Sequence, residues 1–179
     1  MELGLQGKHA IVTGGSKGIG KAIARELARE GVDVAIVSRT KSDLESAARE
    51  LSAETNRRIV PIAADVTDNA QVEAMVAEAA KALGGIDILV NSGSAPGGSA
   101  SAVGPIEGII DDELIWDFNV KYVGALRCSR AVIPHMKQSG WGRIINISGA
   151  NARNAGNLSG GVRNAGLVHM TKTLAVQLG

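Results

Sequence analysis

Short apolar runs alternate with longer amphipathic runs along the chain, and this alternation constrains the fold more than any other feature. The apolar runs, each ending in polar residues or glycine, lie at residues 9–14, 32–38, 58–66, 86–93 and 142–148. Runs of this length are typical of buried strands, and the segments between them of helices, so the pattern predicts parallel βαβ units. Such a sheet is covered by helices on both faces, and its ligands bind beyond the carboxyl ends of the strands. We therefore predict an α/β fold of three layers, α/β/α.

The helical segments carry start signals that can be checked. An apolar period of 3.6 residues predicts helices at residues 21–31, 42–54, 69–83 and 111–137, and a further helix at the end of the chain. Ser42 or Asp43 is the expected N-cap of the second helix, and Asp68 that of the third. The last helix opens with Gly160 and Gly161, and each glycine costs ~1 kcal/mol against alanine in a helix interior. Either the backbone passes close to another group there, or a functional side chain has been replaced by glycine.

Composition narrows the class of protein. The 179 residues fit one domain, and Lys plus Arg total 19 against 18 for Asp plus Glu, a net charge of +1. This balance argues against a nucleic-acid surface or a polybasic membrane surface. Because the chain has one cysteine and three histidines without ligand spacing, we expect neither an intramolecular disulfide nor a metal site. No secretory signal or apolar span of ~18 residues is visible, so a cytoplasmic location is expected.

A glycine-rich turn, TGGSKGIG, joins the first strand to the first helix. Gly14 permits a sharp turn, Gly18 lets the backbone approach a pyrophosphate, and Gly20 allows the helix to pack closely on the sheet. The free N–H groups at the helix start would then hold the anion. The spacing differs from GxGxxG, and no GK[ST] follows, which argues against a nucleoside-triphosphate loop. A tight turn without a ligand is the alternative interpretation. The other candidate cofactor contacts in the turn are Ser16, Lys17 and Ile19.

The end of the second strand indicates which dinucleotide fits. NAD sites usually carry an acidic residue there, which accepts hydrogen bonds from the ribose hydroxyls. This chain has Ser38 and Arg39 instead, and Lys17 lies in the glycine turn. Two cations near a 2′-phosphate favour NADP(H) over NAD(H), whereas two unrelated surface charges are the alternative. Asp65, after the third strand, either contacts an adenine amino group or caps a turn.

Together these segments resemble the short-chain dehydrogenase/reductase family. The glycine turn is similar to that family's TGxxxGxG, AADVTD to its adenine-side Asp-Val, and NSGS at residues 91–94 to its NNAG turn. FNVKYVGA and GRIINIS resemble the helix and the strand that carry its catalytic Asn and Ser. The resemblance covers nearly the whole chain and implies a Rossmann-type doubly wound parallel sheet, a nicotinamide dinucleotide and a small carbonyl or alcohol substrate. The further residues that it implies are Val66, Asn91 and Gly93 for the cofactor, and Asn119 and Ser148 for catalysis.

The family's YxxxK pair is missing from this chain. Alignment of the last helix puts Gly160 at the tyrosine position and Asn164 at the lysine position, where Asn164 is the expected cofactor contact. Gly149 stands at the usual serine position, next to Ser148. The resemblance thus implies an atypical active site, and two interpretations of the nearby polar groups stay open: ordinary loop residues or substitute proton donors. The candidate donors are Ser148, Ser159, Arg153 and Arg163.

Three functions stay open on these grounds. The first is an NADP(H)-dependent oxidoreductase with an altered active site, and the second is a catalytically inactive dinucleotide-binding or partner-binding protein. The third is a protein that binds another adenine nucleotide, which the glycine spacing disfavours. The resemblance also implies a homodimer or homotetramer paired through the long helix and the last helix. It implies as well that residues 1–179 are a single domain without the family's later strands.

Overall fold

The chain forms five strands within the part that the computed structural model describes, residues 3–94 and 97–179. They are β1 His9–Thr13, β2 Asp33–Ser38, β3 Ile59–Ala63, β4 Ile88–Asn91 and β5 Arg143–Asn146. The strands pair in the order β3-β2-β1-β4-β5 and form a parallel sheet flanked by helices. This confirms the predicted α/β class and its Rossmann type. The small-residue composition of SAPGGSASAVGP, residues 94–105, predicts a loop over a site, and residues 95 and 96 of this segment lie outside the described residues.

Six α-helices occur in the described ranges: α1 Gly18–Arg29, α2 Lys41–Thr55, α3 Asn69–Leu83, α4 Asp111–Phe118, α5 Gly124–Ser139 and α6 Leu158–Leu178. Asp68 is the N-cap of α3, as predicted, because its carboxylate accepts hydrogen bonds from two N–H groups of the first turn. The predicted N-cap of α2 is wrong. The N-cap is Thr40, with an extended backbone, two or three residues earlier, so Ser42 and Asp43 lie inside the first turn of the helix.

The helix predicted at residues 111–137 is interrupted. A π-helical turn, Asn119–Val123, joins α4 to α5. In such a turn the backbone bond spans five residues instead of four, and these turns are frequent at functional sites. This one begins at Asn119, to which the family resemblance assigns a catalytic role.

The parallel register aligns the carboxyl ends of the strands. Thr13 lies opposite Val37 of β2 and Asn91 of β4, and Ser38 lies opposite Ala63 of β3. β1, β2 and β4 are buried along nearly their whole length, as strands covered on both faces require. Side chains of β1, β2 and β4 pack with α3 and α5 in one core cluster, which includes Ile11, Val37, Leu89, Val72, Met75, Cys128 and Val132.

The chain divides into two compact units. The first comprises Met1–Gly93 and Arg127–Ile145, and the second comprises Ser94–Leu126 and Asn146–Gly179. In the second unit, Leu167 of α6 belongs to a small apolar cluster against which Tyr122 packs. A Cβ on Gly166 would lie 2.8 Å from Cδ2 of Tyr122, so α6 and the π-helical turn approach closely. The organisation of residues 1–179 as a single domain stays a prediction.

Candidate functional site

The first unit brings the glycine turn and the strand ends together. The N–H group of Gly14 donates to the Val37 carbonyl at 2.7 Å, which joins the turn to β2. The hydroxyl oxygen of Thr13 accepts from the N–H groups of Ser92 at 3.1 Å and Gly93 at 3.0 Å. The segment after β4 is thereby held beside the turn. The carboxyl ends of β1, β2 and β4 thus share one edge, where ligands bind in open α/β sheets.

The glycine turn has a backbone that side chains would block. Gly14 and Gly18 have φ angles of 68° and 56°, in the left-handed region that favours glycine. A Cβ on Gly20 would overlap the carbonyl oxygen of Gly14, and a Cβ on Gly14 would lie 2.9 Å from that of Ser92. Lys17, the N-cap of α1, makes no side-chain cap hydrogen bond, so its side chain does not compete with an anion for the first N–H groups of the helix. This cradle fits the pyrophosphate of a dinucleotide.

The other predicted residues of the turn differ in exposure. Ser16 is buried, whereas Ile19 is 64% exposed on the first turn of α1. The ammonium of Lys17 is exposed and lies 4.0 Å from the Asp43 carboxylate. Because an exposed pair at this distance is weak, Lys17 remains able to meet a phosphate.

The end of β2 carries a buried polar atom without a partner. The Ser38 hydroxyl oxygen is inaccessible to solvent and makes no hydrogen bond to any described residue. Arg39 follows it and is exposed. A buried hydroxyl without a partner costs stability unless a ligand or water completes it. Ser38 and Arg39 therefore fit a ribose that carries a hydroxyl or a phosphate.

Contacts within the first unit orient the remaining predicted cofactor residues. Asp65 caps a turn, because its Oδ1 accepts from the N–H group of Thr67 at 2.8 Å and from its hydroxyl at 2.7 Å. The Val66 carbonyl oxygen accepts from Arg127 at 3.3 Å. Asn91 is buried, and its amide group donates to a serine hydroxyl of α5 at 3.3 Å. The turn-capping interpretation of Asp65 therefore holds for one of its carboxylate oxygens.

The second unit contains the predicted catalytic residues and Asn164. The Ser148 hydroxyl donates to the backbone carbonyl of Asn164 at 3.2 Å, whereas Asn119 begins the π-helical turn. Asn164 is 6% exposed, and its side-chain oxygen has no hydrogen-bond partner among the described residues. A Cβ on Gly149 would lie 2.8 Å from Nδ2 of Asn164. Asn164 therefore offers a buried acceptor, without the charge of a lysine, and leaves little room for a serine at position 149.

The space that a tyrosine at position 160 would need is filled by side chains of the same unit. A Cβ on Gly160 would lie 2.6 Å from Nδ2 of Asn151 and 2.8 Å from Oδ1 of Asn157. Asn157 is the N-cap of α6, and its Oδ1 accepts from the Gly160 N–H group at 2.5 Å. A Cβ on Gly156 would also lie 2.6 Å from Nδ2 of Asn151. The Asn151 carboxamide thus lies in a slot between two glycines, which explains why α6 opens with Gly160.

A buried carboxylate lies at the start of this helix. The Asp117 carboxylate accepts from the Ser159 hydroxyl at 2.6 Å and from the Ser99 hydroxyl at 2.8 Å. Burial alone would raise the pKa of Asp117, but hydrogen bonds from Ser159 and Ser99 and the charge of Arg163 outweigh it and hold the pKa below its usual value. Asp117 is therefore ionised at neutral pH.

Sequence reasoning missed Asp117, Ser99 and Lys121. Burial and the positive charge of Arg163 lower the pKa of Lys121 to about 8. One signal could have found two of the three: Asp117 and Lys121 are four residues apart, as are Ser159 and Arg163, and residues at this spacing share a helix face. Of the candidate donors named above, Ser159 and Arg163 are buried, Ser148 is bonded to α6, and Arg153 is exposed.

Other kinds of site find no support in the described residues. No group of three or more His, Cys, Asp and Glu side chains in these ranges could hold a metal ion. None of the described helices is both long and apolar enough to span a bilayer. Burial raises the pKa of the Cys128 thiol to about 12, which makes it a packing residue rather than a nucleophile.

The sequence matches the short chain dehydrogenase family over residues 8–179. It is 37% identical to the short-chain reductase protein NovJ of Streptomyces niveus, over 95% of this chain and 63% of that protein. It is 34% identical to the BbsD subunit of (2S)-[(R)-hydroxy(phenyl)methyl]succinyl-CoA dehydrogenase of Thauera aromatica, over 99% of this chain and 69% of the subunit.

The fold is similar to that of a solved sugar reductase. The crystal structure of L-sorbose reductase from Gluconobacter frateurii, complexed with NADPH and L-sorbose, superposes with a TM-score of 0.92 at 33% identity. The match covers 99% of this chain and 66% of the reductase. The chain thus spans between 63% and 69% of the length of these three relatives.

Proposed function

The chain belongs to the short chain dehydrogenase family, and from this membership we propose that it is an NADP(H)-dependent oxidoreductase with an altered active site. Its substrate is a small carbonyl compound or the corresponding alcohol. The named relatives are reductases and a dehydrogenase, which supports this class of reaction. The cytoplasmic location and the assembly into a homodimer or homotetramer stay predictions.

The residues at the end of β2 are the basis for proposing NADP(H) as the cofactor. Arg39 stands where an NAD site usually has an acidic residue, and the Ser38 hydroxyl beside it is buried without a partner. Lys17 adds a second cation, whose ammonium lies 4.0 Å from the Asp43 carboxylate. Two cations and no carboxylate at these positions favour a ribose that bears a 2′-phosphate. The NADPH bound to L-sorbose reductase supports the same choice.

Each predicted residue has a separate task in this proposal. The glycine turn and the start of α1 bind the pyrophosphate, while Lys17 and Arg39 bind the 2′-phosphate. Asn164 offers its buried side-chain oxygen to a ribose hydroxyl, and Asn119 and Ser148 orient the substrate. The bound nicotinamide supplies a hydride-transfer centre. Rate enhancement then comes mainly from holding the substrate in place, because no tyrosine is present at position 160.

A spectroscopic assay of NADPH consumption with a panel of aldehydes and ketones tests the proposal. We expect turnover with NADPH that exceeds turnover with NADH. Arg39→Ala should raise the KM for NADPH about tenfold, since it removes a charge-assisted hydrogen bond, and should leave the KM for NADH unchanged. Arg49→Ala, an exposed arginine on α2, is the matched control. Equal losses for both cofactors, or none, would contradict the assigned role of Arg39.

A catalytically inactive dinucleotide-binding protein is the second candidate. The packing of Asn151 against Gly160 favours it, because that packing closes the space of the missing tyrosine. Under this alternative the native protein binds NADPH but turns over no carbonyl. Activity would appear only when Gly160→Tyr and Asn164→Lys are combined with Asn151→Gly, which frees the slot. Turnover by the native protein would eliminate this candidate.

A further inference from the structure

Two carboxylates on one face of α4 hold residues 98–104 of the second unit. Glu113 and Asp117 are four residues apart, so they lie on the same face of the helix. Asp117 accepts hydrogen bonds from both the N–H group and the hydroxyl of Ser99. Glu113 accepts hydrogen bonds from the same two groups of Ser101. We call residues 98–104 the serine segment and these two contacts the serine clamps.

The clamp at Glu113 joins the serine segment to α4. Oε2 of Glu113 accepts from the N–H group of Ser101 at 3.1 Å and from its hydroxyl at 2.7 Å. The Ser101 hydroxyl oxygen accepts in turn from the N–H group of Ile110, the N-cap of α4, at 3.2 Å. Among the described residues, the Glu113 carboxylate accepts no hydrogen bond from α6. This clamp is therefore a reference against which the clamp at Asp117 can be compared.

The clamp at Asp117 also reaches α6. Asp117 is buried; its Oδ1 accepts from the Ser99 hydroxyl at 2.8 Å, and its Oδ2 accepts from the Ser99 N–H group at 2.9 Å. The Ser159 hydroxyl, in the first turn of α6, donates to Oδ2 at 2.6 Å. Gly98 has a φ of 100°, and a Cβ there would lie 2.8 Å from Oδ2, so glycine lets the serine segment approach the carboxylate. One carboxylate thus joins the serine segment, α4 and the start of α6.

The elements joined by Asp117 carry residues that the family resemblance assigns to the active site. Asn119 follows Asp117 by two residues and begins the π-helical turn. Asn164 lies five residues after Ser159 on α6, and its backbone carbonyl accepts from the Ser148 hydroxyl at 3.2 Å. A movement of the first turn of α6 relative to α4 would therefore change the distances from Asn119 to the other two residues.

We propose that Asp117 is a positioning residue for the reaction. Its carboxylate fixes the serine segment and α4 against the first turn of α6, and thereby sets the spacing of Asn119 and Asn164. Hydrogen bonds to an ionised carboxylate are roughly twice as strong as neutral ones, which suits a joint between three elements. A displacement of about 1 Å can lower a reaction rate about 100-fold, so this spacing matters to the reaction. Asp117 itself is buried and acts through the other residues, and the inference rests on the proposed function.

NMR of the folded, 15N-labelled protein tests the proposal by comparing Asp117→Asn with Glu113→Gln. Both substitutions turn a clamp carboxylate into an amide on the same face of α4, but of the two carboxylates only that of Asp117 accepts from α6. Asp117→Asn should shift the side-chain amide signal of Asn164 and the backbone N–H signal of Ser148, whereas Glu113→Gln should leave both unchanged. Each substitution should speed hydrogen exchange at its own clamped serine about tenfold. Unshifted Asn164 and Ser148 signals in Asp117→Asn overturn the proposal.

Steady-state kinetics separate a positioning role from a purely structural one. The probe is the aldehyde or ketone of the panel that the native protein reduces fastest with NADPH. At a temperature at which every variant is folded, kcat should be at least about tenfold lower in Asp117→Asn, while its KM for NADPH and the kcat of Glu113→Gln stay native. A purely structural role lowers the free energy of unfolding of Asp117→Asn but leaves the kcat of the folded variant unchanged, and that result overturns the proposal.

Ser159→Ala decides the matter if Asp117→Asn does not fold. This variant removes only the contact of the clamp with α6 and keeps the carboxylate and its bonds to Ser99. We expect shifts of the same Asn164 and Ser148 signals and a lower kcat, with native hydrogen exchange at the Ser99 N–H group. Native signals together with a native kcat would show that the bond between Asp117 and α6 positions nothing.

Turnover by the native protein keeps the two proposals apart. If the native protein reduces no carbonyl compound with NADPH, the oxidoreductase function fails, while shifted Asn164 and Ser148 signals in Asp117→Asn still support the positioning of these two residues. If the native protein and Asp117→Asn reduce the probe equally fast, the positioning role is overturned and the proposed function is supported.

Discussion

Both units place clustered glycines at the start of a helix, but for opposite physical reasons. In the first unit, Gly14 and Gly18 have positive φ angles, and a Cβ on Gly20 would overlap a backbone carbonyl. In the second unit, Gly160 lies in a helix, and the atoms nearest to a Cβ there would be the ends of two asparagine side chains. Backbone cannot move aside as a side chain can. The glycines of the first unit are therefore required, and Gly160 is exchangeable at a moderate cost.

This difference matches the division of motifs between the units. The first unit has every glycine of the dinucleotide motif, whereas the second has Gly160, Asn164 and Gly149 at the positions that the family resemblance assigns to tyrosine, lysine and serine. A Cβ on Gly160 or Gly149 would lie within 2.8 Å of the side chain of Asn151, Asn157 or Asn164. Three asparagine side chains therefore occupy the space in which larger residues at positions 149 and 160 would begin.

Gly20→Ala should have the largest effect, and it tests whether the glycines of the first unit are required. The added Cβ would overlap the Gly14 carbonyl oxygen, so we expect a loss of about 3 kcal/mol in the free energy of unfolding, together with loss of NADPH binding. Urea unfolding measures the first and calorimetry the second. Gly108→Ala is the control, because a Cβ there would meet no atom within 4 Å. A Gly20→Ala protein as stable as this control would refute the backbone argument.

Asp117→Ala tests what holds the second unit together. The substitution removes the negative charge near the buried Arg163 and the acceptor of the Ser99 and Ser159 hydroxyls. We therefore expect the free energy of unfolding to fall by about 2 kcal/mol at neutral pH. Because the pKa of Asp117 is lower in the folded state than its usual value, this contribution is complete above about pH 4 and is lost as the pH falls through the folded pKa. Urea unfolding at several pH values should show the native and variant curves converging in acid. A difference that is independent of pH would contradict an ionised Asp117.

Gly160→Tyr tests whether the glycine at position 160 can be replaced at a moderate cost. The new side chain must displace Asn151, so we expect a loss of about 1–2 kcal/mol in the free energy of unfolding. Adding Asn151→Gly should recover most of that loss, because the slot is then empty. The double-mutant cycle of unfolding free energies measures this coupling. Additive losses would mean that Asn151 does not occupy the space of the tyrosine.

Gly161→Ala should have the smallest effect, with the opposite sign. A Cβ there would meet nothing closer than the Asn151 carbonyl oxygen at 4.0 Å, and alanine favours the helix. We expect a gain of up to about 1 kcal/mol in stability, visible as a higher urea midpoint. Destabilisation would indicate that this position requires glycine for a reason other than the packing around it.

The sequence carried enough information for the sheet, the glycine turn and the Asp68 cap. Each of these depends on residues close together in the chain: apolar runs, glycine spacing and an N-cap beside its helix. The start of α2 was missed because Thr40, Ser42 and Asp43 are all good caps, and their spacing alone does not choose among them.

The contact between Asp117 and Ser159 and the Asn151 slot could not be predicted from local patterns. The Asp117 carboxylate and the Ser159 hydroxyl are 42 residues apart, and no periodicity joins them. The slot depends on how residues 150–157 fold back over α6, which tertiary packing decides. The roles of the site residues and the preference for NADP(H) therefore stay predictions.

Calorimetric titration of the protein with NADPH and with NADH tests the central claim most directly. If the first unit is an intact dinucleotide site whose 2′-phosphate is met by Lys17 and Arg39, NADPH binds with one site per chain and more tightly than NADH. Absence of binding heat for both cofactors across a range of temperatures, with the protein folded, would contradict the account.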